Sequence, residues 1–235
     1  MARVLTRQGF LMASGGGPGA MEATHLGASL ATQPDDALPE ALRRLSHRHA
    51  ALPPDASKVI TQRGKIDNRV LRKLHAWLTP AHTLSQAIKR PGESLAVPTW
   101  YYGHDPTSPF ATHIAKYFQN SLREDGLITL AAHGIIFAQG KAGTLQEIFQ
   151  DGVRNYYRSE KDPFSPMVFF GKRYWTRALP VMKLLEALFT KNKRAAEYHQ
   201  YVLVTDDEDE AVKFLISKAP PARAHFRRLK ALGML

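Results

Sequence analysis

The chain has 235 residues, 44% of them hydrophobic and 23% charged, a balance that suits one large or two small globular domains and is too apolar for a disordered chain. Its formal charge of +11 favours anionic partners. The absence of cysteine excludes disulfides and thiolate metal sites and makes a cytoplasmic location the simplest expectation. No apolar run reaches the roughly 18 residues of a membrane span, and the apolar stretch in the opening MARVLTRQGFLMASGGG is too short for the expectation of a secretory signal.

In chain order, FLMAS (10–14) predicts a buried strand ending at glycines. From Pro18, the apolar residues Ala20, Met21, Ala23, Leu26 and Leu30 recur at helical spacing, with Pro18 suited to a first helical turn. ATQPDDALPE (31–40) interrupts that pattern. Residues 37–92 read as a helical insertion of separate segments (ALPEALRRLSHRHAAL, KIDNRVLRKLHAWL and TLSQAIKR), punctuated by Pro53, Pro54 and Pro80. ESLAVPTW predicts a strand and YYGHDPTSP a loop. FATHIAKYFQNSLRED predicts an amphipathic helix through Phe110, Ile114, Tyr117, Phe118 and Leu122. LITL favours a strand by propensity. GIIFA (134–138) is the better strand, followed by a helix from TLQEIFQDGVRNYY. SPMVFFG and QYVLVT read as further strands. YWTRALPVMKLLEALFTK is helical around Pro180, and DDEDEAVKFLIS is a helix with an acidic first turn. Strands alternating with helices predict an α/β fold with a doubly wound, Rossmann-like parallel sheet covered by helices on both faces. The expected domain spans 1–218, with 219–235 as a tail.

Two glycine loops stand between a strand and a helix: SGGGPGAME, with Gly15, Gly16, Gly17, Gly19 and Glu22, and QGKAGTLQE, with Gly140, Lys141, Gly143, Thr144 and Glu147. In an open parallel sheet this is the carboxyl edge, where ligands bind, and glycines there let backbone N–H groups reach an anion at a helix N-terminus. Each loop alone is equally well a tight turn; the pair, each followed by a glutamate, is more specific. GIIFAQGKA fails as a Walker A loop, because five residues separate Gly134 from Gly140 and Ala142 stands where Ser or Thr must bind magnesium. GGGPGA matches a dinucleotide fingerprint, with Asp35 or Asp36 as the acidic partner, but no second strand leads to either, so an NAD(P)-dependent oxidoreductase is the weakest reading.

SGGGPGAMEATHLGA together with QGKAGTLQE resembles the LOG family, the "LONELY GUY" phosphoribohydrolases once called lysine decarboxylases. Its paired signatures are GGG-x-x-G-x-M and P-G-G-x-G-T-x-x-E, and the resemblance runs from about residue 9 to 217. It implies hydrolysis of the N-glycosidic bond of a nucleoside 5′-monophosphate to free base and ribose 5-phosphate, with no cofactor and no metal, by a self-associating enzyme. Gly140, Gly143 and Thr144 match the phosphate-holding part of the second motif, and Glu147 matches its catalytic glutamate. Arg123 stands close to the family's helical arginine, and Glu124 stands where a lysine is usual. The resemblance also implies that REDGLITLAAH is mostly helix. Gln139 and Lys141 depart from the motif's proline and second glycine. The family has a strand and a glycine/serine loop ahead of ARVLTRQGF, so the expectation is a chain beginning in the family's first helix, with a sheet edge left unpaired.

The chemistry fits these residue types. Breaking an N-ribosidic bond develops positive charge on the ribose, which a carboxylate stabilises directly or by activating water. Arg123 is suited to bidentate orientation of phosphate or base. A helix-capping acid and a surface ion pair are the bland alternatives for Glu147 and Arg123. TWYYGHDP (99–106) is expected beside the site, lining the base pocket or simply packed. His47, His49 and His133 lack zinc-ligand spacing. No G-x-S-x-G elbow occurs, and nothing supports Lys141 as a Schiff-base lysine. A nucleotide-binding or sensing protein without turnover is the alternative from another class. A nucleic-acid binder rests on charge alone, and Arg227, Arg228 and Lys230 belong to a loosely attached tail.

Overall fold

A computed structural model describes residues 1–46, 55–100, 107–159, 162–190, 197–221 and 230. His47, His49, residues 101–106 of TWYYGHDP, and Arg227 and Arg228 of the basic tail lie outside the described residues. The fold is mixed α/β, parallel strands flanked by helices. The chain divides into two compact units, residues 2–123 and residues 124–235 with Met1, each holding one three-stranded parallel sheet.

In the first unit, α1 (Ala2–Arg7) leads to β1 (Met12–Ser14), α2 (Ala20–Ser29), α3 (Ala37–Ser46), α4 (Asn68–Ala87), β2 (Ser94–Ala96) and β3 (His113–Ile114). The sheet order is β1-β2-β3, with Met12 opposite Ser94 and Leu95 opposite His113. β1 is less buried than its apolar composition predicts: Ala13 is exposed. Between residues 37 and 92 the described residues form α3, a 3-10 turn at Ala56–Val59, and α4. Leu26, Leu30, Ala41, Leu84 and Phe110 pack together to tie α2, α3 and α4 into one core.

Three expectations fail here. KIDNRVLRKLHAWL and TLSQAIKR form one helix, and Pro80 lies inside it. Pro80 has no N–H to give Ala76; one residue earlier, the Thr79 hydroxyl donates to the His75 carbonyl (2.7 Å), and the helix runs on. α2 begins at Ala20, so Pro18 belongs to the preceding turn, and Gly19, at φ +82°, occupies the N-cap. FATHIAKYFQNSLRED is not a helix from Phe110. His113–Ile114 join β2, Tyr117 bridges Thr99 in parallel, and the helix starts only at Asn120. Backbone pairing with a strand nearly twenty residues earlier overrides the local 3–4 spacing.

α5 (Asn120–Leu130) carries Arg123 at the end of the first unit and Glu124 at the start of the second. LITL forms the last four residues of this helix, as the family resemblance implies and against its strand propensity. The second unit continues with β4 (Ile135–Phe137), α6 (Ala142–Tyr156), β5 (Met167–Phe170), a π-type turn (Tyr174–Ala178), α7 (Val181–Thr190), α8 (Tyr198–Tyr201), β6 (Val202–Thr205) and α9 (Glu208–Lys218). The order is β4-β5-β6, all parallel. β5 is central and its Met167, Val168 and Phe169 are fully buried, as a strand covered on both faces requires. Phe137, Ile148, Phe164, Trp175, Leu185 and Phe189 complete that core. Pro180 directly precedes α7, and Asp207 caps α9 by accepting from the N–H groups of Asp209 and Glu210. Among the described residues, no helix is long and apolar enough to cross a membrane.

Candidate functional site

Each glycine loop leaves the C-terminal end of a parallel strand and enters a helix. The first follows β1 and the second follows β4. The two belong to different units and are described separately.

In the first loop the glycines are demanded by what crowds the backbone. A Cβ on Gly15 would collide with Nη1 of Arg123, so the guanidinium lies directly against the loop. Gly16 has φ +71°, and its Cβ would stand 2.7 Å from Ser108 Oγ and 3.1 Å from the Ala96 Cβ. A Cβ on Gly17 would stand 2.6 Å from the Met21 methyl. The Gly16 peptide is held at both ends. Its N–H donates to Ser14 Oγ (3.2 Å), and its carbonyl accepts from the buried hydroxyl of Ser108 (2.7 Å). Ser108 itself adopts φ +44°, a left-handed conformation uncommon for serine.

Ser14 is fixed in turn by His25. The imidazole Nε2 is hydrogen-bonded to Ser14 Oγ (2.8 Å) and Nδ1 to Ser94 Oγ (3.0 Å). His25 is 1% exposed, and burial pushes its pKa down to about 4, so the ring is neutral near pH 7. A neutral imidazole has one donor and one acceptor nitrogen, which two hydroxyl partners can satisfy. β1, β2 and α2 are thus joined beneath the loop by a Ser–His–Ser chain. Glu22, half-buried in the first turn of α2, has its carboxyl pKa raised by burial.

The second loop is built differently. A Cβ on Gly140 would run into the Thr144 side chain, so the missing side chain lets Thr144 fold back onto the loop. The Tyr174 hydroxyl donates to the Gly140 carbonyl and clamps that turn to the segment after β5. Lys141 is the exposed N-cap of α6, and Gly143 is exposed in its first turn. Glu147 follows Thr144 by one helical turn and is half-buried. Glu124 is 1% exposed, and its Oε1 lies 3.8 Å from where a Gly143 Cβ would be. A buried carboxylate therefore stands beside the loop that the family resemblance assigns to phosphate, where the family's usual lysine would supply the opposite charge.

Of the residues singled out from sequence, Gly15, Gly16, Gly17, Gly19, Glu22 and Arg123 come together on the first unit, and Gly140, Lys141, Gly143, Thr144 and Glu147 on the second. Ser14, His25, Ser94, Ser108 and Tyr174 were missed. Only His25 had a sequence signal: a polar residue directly before Leu26, at the head of the stretch of α2 that is buried.

No protein-family model matches the chain, and no curated protein matches its sequence.

Proposed function

We propose that the protein is a LOG-type phosphoribohydrolase, hydrolysing nucleoside 5′-monophosphates to free base and ribose 5-phosphate. The observation that carries this reading is the second loop. Gly140 admits the Thr144 side chain, α6 opens at that point, and Glu147 stands one turn further on the same helix. A helix N-terminus with exposed Lys141 suits a phosphate, and a carboxylate one turn away suits the ribose attached to it. In the reaction the C1′–N bond breaks and its electron pair leaves on the base nitrogen. Water oxygen bonds to C1′, and the water proton passes through the Glu147 carboxylate to the departing base. The family resemblance gives Arg123 a substrate-orienting role, and its planar guanidinium lies against Gly15. This reading carries a self-associating cytoplasmic enzyme that uses no cofactor.

The test is chromatographic: AMP, GMP, CMP and UMP are incubated with the chain, and base and ribose 5-phosphate are quantified. Equimolar release of both supports the reading. Glu124 beside Gly143, together with Gln139 and Lys141 in the loop, favours a second one: a nucleotide-binding protein without turnover. Tight calorimetric binding of a monophosphate with no base released decides for it.

A further inference from the structure

The first unit carries a basic hairpin that neither glycine loop uses. Between the 3-10 turn and α4 the chain doubles back on itself. Thr61 N–H donates to the Lys65 carbonyl (2.8 Å), and Asp67 N–H donates to the Val59 carbonyl (2.7 Å). Gly64, at φ +69°, closes the turn by donating its N–H to the Thr61 carbonyl (2.9 Å). The Lys65 N–H is held by Thr61 Oγ1 (3.1 Å). Ile60 and Ile66 are antiparallel partners, and the bonds on either side make them a non-hydrogen-bonded pair. Side chains of such a pair share one face and stand closest together.

That face is open. Every residue from Ile60 to Ile66 is exposed, and the two isoleucines are 63% and 62% exposed although they are cross-strand neighbours. The charge around them is one-sided. Residues 55–73 hold six basic side chains, Lys58, Arg63, Lys65, Arg69, Arg72 and Lys73, against two acidic ones, a net charge of +4. Both acids serve the fold: Asp55 accepts from Ser57, and Asp67 accepts from the N–H groups of Arg69 and Val70. Arg69, Arg72 and Lys73 are all exposed, and their spacing of three and four residues puts them on one face of the opening turns of α4.

We propose that this hairpin is a membrane-surface contact, seating the protein on bilayers that carry anionic phospholipid, with no segment crossing them. The contact is separate from the reaction proposed at the glycine loops. Its occupant has to satisfy two features at once. Lysine and arginine side chains draw the hairpin to anionic headgroups. The isoleucine pair gains only where it leaves water, at the boundary of headgroup and acyl chain. A duplex nucleic acid satisfies the charges but leaves the isoleucines in water. A single strand finds no aromatic ring between residues 55 and 73 on which its bases could stack. A hairpin exposed along its whole turn projects toward its partner, and a deformable lipid surface takes it without a preformed groove.

The experiment sediments the full chain with vesicles of pure phosphatidylcholine and with vesicles in which about one-third of the lipid is phosphatidylserine. Wild type is expected to bind the anionic vesicles and not the neutral ones. The double variant Arg63→Gln, Lys65→Gln weakens that partition about thirtyfold. The double variant Ile60→Ser, Ile66→Ser weakens it at least about tenfold. The chain has no cysteine, so Gln62→Cys carries a single environment-sensitive dye at the turn, and its emission shifts to the blue on anionic vesicles. Equal binding to both vesicle types, or binding to neither, overturns the proposal. Binding that both double variants retain overturns it, as does binding that survives only the isoleucine changes, which is adsorption of a basic chain by charge alone. An unshifted dye on bound protein places the contact elsewhere and overturns it too; this readout decides even where a double variant fails to fold. Binding of a random duplex, weakened by Arg63→Gln, Lys65→Gln, with no vesicle binding gives the hairpin to nucleic acid instead.

Discussion

Burial of His25 makes the chain acid-sensitive as pH falls below the ordinary imidazole range. The ring is 1% exposed, and its pKa falls from the ordinary 6.5 to about 4 because burial penalises the imidazolium. The unfolded chain therefore binds a proton that the folded chain refuses. Stability is unaffected by this group above pH 6.5, declines as pH falls below it, and stops declining below pH 4. At pH 5 the unfolded imidazole is almost fully protonated and the folded one is largely neutral, which costs about 2 kcal/mol relative to pH 7; the full gap from 6.5 to about 4 costs about 3 kcal/mol. Urea unfolding followed by circular dichroism at pH 7 and pH 5 measures it, with the non-titrating His25→Gln as reference. His133 is also lowered by burial, but it is common to both proteins and cancels. Wild type is expected to lose about 2 kcal/mol more than His25→Gln between the two pH values. Equal losses, within about 0.5 kcal/mol, would refute the assignment of a buried neutral imidazole under the first loop.

The two crowded glycines of that loop separate packing from positioning. Gly15→Ala displaces only the flexible ends of Arg123 and Met21, so thermal unfolding should show a loss below about 1 kcal/mol, while the shifted guanidinium lowers nucleotide affinity measured by calorimetry. Gly16→Ala places a Cβ against Ser108 and Ala96 at a φ of +71° and should cost about 2 kcal/mol or more in the same unfolding assay. Asp67 caps α4 by accepting from the N–H groups of Arg69 and Val70. Asp67→Ala should lower urea-unfolding stability by about 1 kcal/mol and leave nucleotide binding alone.

Sequence reading succeeded where the determining interactions are local. Glycines closing an apolar run located both loops, and the apolar runs GIIFA, SPMVFFG and QYVLVT located β4, β5 and β6. It failed where distant pairing decides. Phe110, Ile114, Tyr117 and Phe118 have helical spacing, yet Ala96, Pro98 and Thr99 recruit 113–117 into extended structure. The strand propensity of LITL lost to α5, an outcome only the family resemblance anticipated. Gly15 and Gly16 could be read as needing space, but the occupants of that space, Arg123 and Ser108, lie 108 and 92 residues away along the chain. No periodicity brings Ser14, His25 and Ser94 together; the pairing of β1 with β2 and the packing of α2 against both do.

The central claim is that Glu147 serves the cleavage of an N-ribosidic bond. Base release from purine and pyrimidine 5′-monophosphates, measured for wild type and Glu147→Gln alongside nucleotide binding by calorimetry, tests it most directly. The account predicts free base and ribose 5-phosphate from the wild type. It predicts loss of turnover in Glu147→Gln, by at least about a hundredfold, with nucleotide binding largely retained. No base released from any monophosphate by the wild type, or undiminished turnover in Glu147→Gln, would contradict it.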